Sequence, residues 1–62
     1  MYRIYITEGF RKFYLMDIII HDDMEHPQFG VDWSHAMTFP SLYVAMDYRK
    51  RLIDLGYQPH IV

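Results

Sequence analysis

Five side chains that can bind metal ions or exchange protons lie within six consecutive residues. They are His21, Asp22, Asp23, Glu25 and His26. Imidazole and carboxylate groups are common ligands of zinc and other divalent ions, so a metal ion could be held by His21, Asp23 and His26. The two histidines are five residues apart in a segment predicted to be a loop, however, and this spacing matches no recurring zinc motif. We therefore expect a solvated acidic loop with no bound metal and no other cofactor.

Catalysis by the same carboxylates would need a pocket that excludes water and raises one pKa. A chain of 62 residues offers little concavity for such a pocket. The sequence also lacks a cysteine nucleophile, a P-loop, a glycine-rich dinucleotide turn and a Ser/His/Asp motif. We predict that the protein is not an enzyme and has no catalytic residues.

The elements that position these side chains are predicted to form one domain, residues 1–62. A chain of this length buries only about 60% of the surface that its unfolded form exposes. The absence of cysteine excludes disulfides and thiolate metal sites. Stability must then come from a dense apolar core, self-association or partner binding. For the core the chain has six tyrosines, four phenylalanines, one tryptophan and five methionines. Aromatic residues and methionine are also enriched at protein interfaces, so we expect some of them to be exposed for binding.

Four strands are predicted from the spacing of apolar residues. In YRIYIT, Tyr2, Ile4 and Ile6 share one face, which is typical of a half-buried strand. The next run, KFYLMDIII, is apolar on both faces and is expected to be a central strand. Together with weaker patterns further along the chain, these runs predict strands at about residues 2–7, 13–20, 32–38 and 57–62. Charged residues, proline and glycine predict a loop over residues 21–30.

One helix is predicted at about residues 42–55. Ser41 is a favoured N-cap residue, and Gly56 stands where a helix commonly ends. Arg49 falls within the apolar stripe of this helix, where an unpaired charge would be costly. Its side chain is expected either to extend to the edge of the helix or to pair with Asp17.

The element order β-β-β-α-β predicts an α+β fold. We expect a mostly antiparallel sheet in the strand order 3-2-1-4, with the helix packed on one face. Three antiparallel strands followed by a returning helix would leave the last strand parallel to the first, through a right-handed crossover.

The charge balance narrows the class of partner. The formal net charge is −2 with neutral histidines, whereas nucleic-acid-binding domains are usually basic. No apolar run approaches the roughly 20 residues that span a bilayer, and the first residues show strand periodicity and no secretory signal. We expect a cytoplasmic protein that binds another protein and no membrane.

The preferred hypothesis is a protein–protein interaction domain with aromatic anchors and an acidic rim. Complementary charge accelerates association and fixes the register of partners. The predicted partner-binding residues are Asp22, Asp23, Glu25, Phe29, Asp32 and Trp33, with Tyr43 on the outer helix face as a secondary candidate.

Two alternative functions remain open. A small single-stranded nucleic-acid-binding module would combine basic residues with exposed rings, and the candidates are Arg11, Lys12, Tyr5, Phe13 and Tyr14. A structural homodimer would instead bury the second face of the second strand between two subunits.

The segment from residue 37 to residue 62 resembles the closing αβ unit of very small bacterial and phage-encoded proteins. The features that carry the resemblance are Phe39, the Ser41 cap, Ala45, Leu55-Gly56-Tyr57 and the final Ile61-Val62. Many proteins of this type are phage accessory proteins that bind and block a host enzyme or a defence complex, anti-CRISPR proteins among them. The resemblance therefore implies an inhibitor that acts in the host cytoplasm by steric occupation of its partner.

Overall fold

The computed structural model describes all 62 residues, and its first two strands follow the alternating apolar pattern. β1 spans Ile4–Glu8 and β2 spans Arg11–His21. The two strands are antiparallel and are joined by a turn at Gly9 and Phe10. Gly9 has a φ of +61°, which glycine adopts readily because it has no Cβ. This conformation lets β2 fold directly back onto β1.

The third strand lies earlier in the chain than the sequence predicts. β3 spans Met24–Gly30 and pairs antiparallel with β2 through a two-residue turn at Asp22 and Asp23. The predicted loop over residues 21–30 and the predicted strand over residues 32–38 are therefore both wrong. The two aspartates have φ values of +51° and +60°, the backbone signs of a type I′ hairpin turn, and aspartate tolerates this region better than most residues.

Pro27 is compatible with β3 because β3 is at the edge of the sheet. Hydrogen-bonded and non-hydrogen-bonded pairs alternate along an antiparallel ladder. Counted from the His21–Met24 pair that closes the turn, the pair of Ile18 and Pro27 is a non-hydrogen-bonded one. The nitrogen of Pro27 therefore points outward from the sheet, where no donor is required.

Residues 31–41 cross β2 on the way from β3 to the helix. Within this connection, Trp33–His35 form one turn of 3-10 helix. Further on, Phe39 makes an antiparallel bridge to Tyr2, with both N···O distances 2.8 Å. The amide of Met37 also donates to the carbonyl oxygen of Leu15 at 2.9 Å. The second half of β2 does not pair with β1. The connection pairs with the residues before β1 in its place.

Helix α1 spans Leu42–Asp54, within one residue of the predicted bounds. The Ser41 hydroxyl accepts a hydrogen bond from the amide of Tyr43 at 3.2 Å, as an N-cap does. Gly56 has a φ of +98°, and the amide of Tyr57 donates to the carbonyl of Leu52 at 3.0 Å. This closing pattern satisfies a carbonyl group that the end of the helix leaves without a partner.

β4 spans His60–Ile61 and is shorter than the predicted strand over residues 57–62. The sheet order β3-β2-β1-β4 and the α+β architecture with one helix are as predicted. The predicted direction of the last strand is wrong, because β4 runs antiparallel to β1. The reason is the connection before α1, which adds one more passage along the sheet and reverses the direction of everything after it.

The core lies between one face of the sheet and α1. It contains one buried residue each from β1, β2 and the connection, and two from the helix: Ile4, Leu15, Phe39, Ala45 and Leu52. The i, i+3, i+4 spacing of apolar residues along the helix also predicts that Leu42, Met46 and Ile53 pack inward, but all three are exposed. The small core is consistent with the small size of the chain.

Arg49 does not pair with Asp17. Its side chain is exposed, and Nε donates to the carbonyl of Pro59 at 3.3 Å. The carboxylate of Asp17 instead accepts a hydrogen bond from the amide of Ile18 at 2.8 Å. Of the two sequence-based alternatives, the structure therefore has the side chain of Arg49 at the helix edge.

Candidate binding surfaces

The first candidate surface is the part of the β2–β3 hairpin that extends beyond β1. β1 pairs with β2 only over residues 11–14. A β-bulge between Leu15 and Asp17 then shifts the register of β2 against β3. Beyond the bulge, residues 17–28 form a two-stranded hairpin, which we call the distal hairpin. Isolated two-stranded hairpins are marginally stable in water, so this region depends on what packs against it.

Large apolar side chains are exposed on both faces of the distal hairpin. The exposed fractions are 70% for Ile20, 60% for Met24 and 49% for Ile19. Ile20 is opposite Glu25, whose carboxylate lies 3.7 Å from the Arg51 guanidinium of α1, so this pair is on the helix side. Because side chains alternate along a strand, Ile19 and Met24 lie on the opposite face. The hairpin thus offers apolar surface in two directions.

The tip of the distal hairpin is acidic. Asp22 and Asp23 are consecutive, exposed and located at the turn itself. The His21 Nδ1 atom lies 3.2 Å from Asp22 Oδ2, and both side chains are largely solvent-exposed. Two carboxylates therefore lie at the end of the hairpin, next to the exposed apolar side chains.

The two histidines of the predicted acidic loop, His21 and His26, are neighbours in space. His21 and His26 lie on the same face of the hairpin, with ring centroids 6.3 Å apart. Asp23 is at the turn, and the structure contains no group of three or more side chains arranged to hold a metal ion. The pairing follows from the hairpin register, which places the two residues diagonally across the strands.

Two of the predicted partner-binding residues face the fold. Phe29 packs against the core, and its ring centroid is 5.2 Å from that of Tyr57. Glu25 is half-buried beside Arg51 of α1. Both residues therefore help attach β3 to the rest of the molecule instead of presenting a free anchor.

The remaining predicted partner-binding residues are in three separate places. Asp22 and Asp23 are at the hairpin tip, and Asp32 and Trp33 are in the connection that crosses β2. Tyr43 is exposed in the first turn of α1. The predicted set therefore does not form one continuous patch.

Asp32 organises the 3-10 turn of the connection. Its Oδ1 accepts hydrogen bonds from the Ser34 hydroxyl at 2.6 Å and from the Ser34 amide at 3.0 Å, and its Oδ2 lies 2.6 Å from His35 Nδ1. The hydrogen bonds from Ser34, followed by that from His35, hold the pKa of Asp32 below its usual value.

These are the residue types of a hydrolase triad, but their geometry differs from one. The Ser34 hydroxyl and the Asp32 carboxylate both approach the same nitrogen of His35, at 3.4 Å and 2.6 Å. In a triad the histidine uses its two nitrogens separately, one toward serine and one toward aspartate. The arrangement of Asp32, Ser34 and His35 is that of a capped turn.

The second candidate surface is a row of three rings across the face of the sheet opposite α1. Tyr5 of β1 is in register with His60 of β4 and with Tyr14 of β2. The Tyr5 and His60 rings are stacked with centroids 5.1 Å apart, and the Tyr5 and Tyr14 rings are tilted at 5.9 Å. Because Ile4 is buried against the helix, its neighbour Tyr5 faces the other way. We call Tyr5, Tyr14 and His60 the aromatic row.

Two cations flank the aromatic row. The Lys12 ammonium lies 4.7 Å from the centroid of the Tyr5 ring. On the other side of the row, the Arg3 guanidinium is 4.3 Å from the centroid of Trp33, and Arg3 Nε donates to the carbonyl of Trp33 at 3.1 Å. Trp33 itself is 56% exposed. The open face of the sheet therefore combines flat rings with positive charge.

The structure divides the residues predicted for nucleic-acid binding into two groups. Tyr5, Tyr14 and Lys12 share the open face of the sheet. Phe13 is in register with Ile6 on the helix side, and Arg11 has the same parity as Phe13. The alternation of side chains along β1 and β2 therefore places the residues predicted for nucleic-acid binding on two opposite faces of the sheet.

Sequence reasoning missed several residues that the structure brings to these surfaces. Ile19, Ile20 and Met24 were not named among the partner-binding residues, since the second strand was predicted to be followed by a loop. His60 was not joined to the aromatic candidates, since the register of β4 was unknown, and Arg3 was not, since its contact with Trp33 depends on the path of the chain after β3. The signal that could have located the hairpin is the Asp-Asp pair directly after the apolar run of β2, although β3 itself, MEHPQFG, has few strand-forming residues.

Both candidate surfaces are open faces, and the structure contains no pocket. The single helix is too short and too polar to cross a bilayer. Comparisons with protein-family models, curated proteins and solved structures found no match. The function is therefore argued from the chemistry of the two surfaces.

Proposed function

We propose that the protein is a non-enzymatic interaction domain that binds another protein through the distal hairpin. The observation that carries the proposal is the exposure of Ile20, Met24 and Ile19 on a hairpin with an acidic tip. Exposed apolar surface of this kind is typical of protein-binding sites, and here Ile19 and Met24 share one face of the hairpin while Ile20 is on the other.

The apolar side chains supply the main favourable term of this binding. Full burial of an isoleucine or methionine side chain contributes about 1.5–3 kcal/mol. Association also costs about 4–15 kcal/mol in lost motional freedom, so three side chains alone do not give a tight complex. A standard interface covers about 800 Å² on each partner, roughly a sixth of the 4652 Å² accessible surface of this protein. The partner must therefore contact both faces of the hairpin or its surroundings as well.

The acidic tip specifies the chemistry of the partner. Asp22 and Asp23 would be complementary to lysine or arginine side chains beside an apolar groove. The proposed partner is a protein with such a groove, and inhibition would follow wherever the groove is the functional surface of that protein. This is the steric mechanism implied by the resemblance to phage-encoded inhibitors. The absence of cysteine supports a cytoplasmic setting.

Affinity capture with matched variants tests the proposal. The native protein, the double variant Ile20→Ala/Met24→Ala and the control Ile53→Ala are each immobilised and exposed to the same bacterial lysate. All three side chains are exposed apolar groups, but Ile53 is on α1. A partner of the distal hairpin should be depleted at least about tenfold by the double variant, as expected from a loss of about 1.4 kcal/mol or more, and should be retained by the control.

The charge of the tip is tested with the purified partner. The variant Asp22→Asn/Asp23→Asn removes both charges while keeping a residue that tolerates positive φ. Its affinity should be lower and less dependent on salt than that of the native protein.

A captured protein that the double variant Ile20→Ala/Met24→Ala retains in full would contradict the proposal. A dimer in light scattering that this same variant disperses would also contradict it, because the occupant would then be a second copy of the chain.

A further inference from the structure

We infer that the aromatic row and its two flanking cations form a second binding surface, whose ligand is single-stranded nucleic acid. This surface is separate from the distal hairpin and does not depend on the protein partner proposed above.

The first step is the alignment of the rings. Tyr5, Tyr14 and His60 come from three adjacent strands and are in register across the sheet, with centroids 5.1 Å and 5.9 Å apart. Four-stranded sheets that bind RNA stack two or three bases on aromatic side chains of one sheet face. Stacking tolerates any base, since every base has a flat π-face. The row therefore supplies stacking surface for unpaired bases on the ring faces that the Tyr5–His60 stack leaves free.

The second step is the charge on either side of the rings. Lys12 and Arg3 are each two residues along a strand from a ring of the row, in opposite directions, and share its face. Their present contacts are with the faces of Tyr5 and Trp33, and exposed contacts of this kind are weak enough to be exchanged for phosphate. The cations are thus placed to meet the backbone of a strand whose bases lie on the rings.

The third step is the distribution of the negative charge. The net charge of −2 does not describe this face, because Asp22 and Asp23 are at the far end of the hairpin and the aspartates of α1 are on the other side of the sheet. Asp32 is the nearest carboxylate in sequence to Trp33, and its oxygens are held by Ser34 and His35. Asp17 also lies on this open face beyond the bulge, and Asp32 is ionised. The attraction for a phosphate backbone therefore comes from the position of Lys12 and Arg3 beside the rings and not from a net positive charge.

Fluorescence anisotropy tests the inference directly. The probes are fluorescein-labelled oligothymidylate and oligouridylate of about eight nucleotides, a length within the range that single domains cover. Both should bind at low salt, and the two arms distinguish DNA from RNA as the preferred ligand. Two phosphate contacts predict a slope of about −1.4 for log K against log salt concentration.

Matched variants separate stacking from charge. Tyr5→Ala should weaken binding about 5- to 150-fold, whereas Tyr5→Phe keeps the ring and should retain the native affinity. Lys12→Gln should reduce the salt slope to about −0.7, since one phosphate contact remains. Lys50→Gln removes the same charge from the exposed helix surface and should leave both affinity and slope unchanged. Circular dichroism confirms that each variant is folded.

Several results would overturn the inference. These are the absence of binding to both probes at low salt, a slope that Lys12→Gln leaves unchanged, and equal binding of a duplex of the same length. A dimer in light scattering that Tyr5→Ala disperses would also overturn it, because a second copy would then occupy the face. The variant Ile20→Ala/Met24→Ala should bind the probes like the native protein, so failure of one proposal is distinguishable from failure of the other.

Discussion

The distal hairpin and the aromatic row share strand β2 but differ in what supports them. At the aromatic row, β2 has β1 on one side and β3 on the other, and α1 covers the back of the sheet. In the distal hairpin, β2 has only β3 as a strand partner beyond the bulge. One strand therefore supplies stability in its first half and free apolar surface in its second half.

The two regions also differ in the turn that lies nearest to each. The aromatic row is nearer the β1–β2 turn, and the distal hairpin ends in the β2–β3 turn. The β1–β2 turn has Gly9 at its positive φ, next to an exposed Phe10. The β2–β3 turn has Asp22 and Asp23 at two positive φ values, where glycine would be less strained. The hairpin tip therefore keeps two carboxylates at some cost in backbone conformation, which is understandable if the charges bind a partner.

The largest expected effect separates the two halves of β2. Leu15→Ala removes a fully buried side chain of the core and should lower the free energy of unfolding by about 2–5 kcal/mol. A domain of this length is stable by only about 3–9 kcal/mol, so the variant should be mostly unfolded at mild urea concentrations. Ile20→Ala, five residues further along the same strand, should change the free energy by no more than about 0.5 kcal/mol.

Urea denaturation followed by far-ultraviolet circular dichroism measures both values. Similar losses for the two variants would break the comparison, because the distal hairpin would then be part of the core. A larger loss of unfolding free energy for Leu15→Ala, with the same m-value for both variants, would show that the two proteins differ in stability and not in the surface exposed on unfolding.

The helix and the strand order could be predicted from sequence because their signals are local or follow from few alternatives. The cap at Ser41 and the glycine at Gly56 define the ends of α1 within one residue. The first hairpin follows from alternation and one glycine. With three consecutive strands and one helix, the order 3-2-1-4 is the simplest arrangement.

The third strand and the two surfaces could not be predicted for physical reasons. An Asp-Asp turn resembles an acidic loop, and Pro27 argues against a strand unless its nitrogen is known to face outward. The direction of β4 depends on whether residues 31–41 add a passage along the sheet, which local patterns do not reveal. The aromatic row requires the register of three strands, including the two-residue β4.

A smaller effect distinguishes the two hairpin turns. Gly9→Ala places a Cβ at a φ of +61°, and no atom lies within 4 Å of it, so the cost comes from the backbone alone. We expect a loss of about 1–2 kcal/mol. Asp23→Gly relieves positive-φ strain but increases the entropy of the unfolded chain, so the expected gain is at most about 1 kcal/mol. Thermal unfolding should show opposite shifts in Tm, and shifts of the same sign would contradict the assignment of strain to the second turn.

The smallest effect concerns the connection that separates the two surfaces, where Asp32 caps the 3-10 turn that carries Trp33. Because its hydrogen bonds lower the pKa of Asp32 below the ordinary value of 3.8, the ionised carboxylate stabilises the folded state. This contribution is fully present above the ordinary pKa and is lost as the pH falls through the lowered, folded-state pKa. Asp32→Asn should therefore be slightly less stable than the native protein at neutral pH, and the difference should diminish below about pH 4.

The measurement for Asp32 is the free energy of unfolding of both proteins between neutral pH and the lowest pH at which they fold. Asp22→Asn is the matched control, because it removes an exposed carboxylate that lies in the β2–β3 turn and caps no helix. A difference between Asp32→Asn and the native protein that is constant with pH would contradict the cap, because a lost ionised acceptor must lose its advantage as it becomes protonated. A difference that diminishes in acid would show that the ionised carboxylate of Asp32 stabilises the turn that carries Trp33.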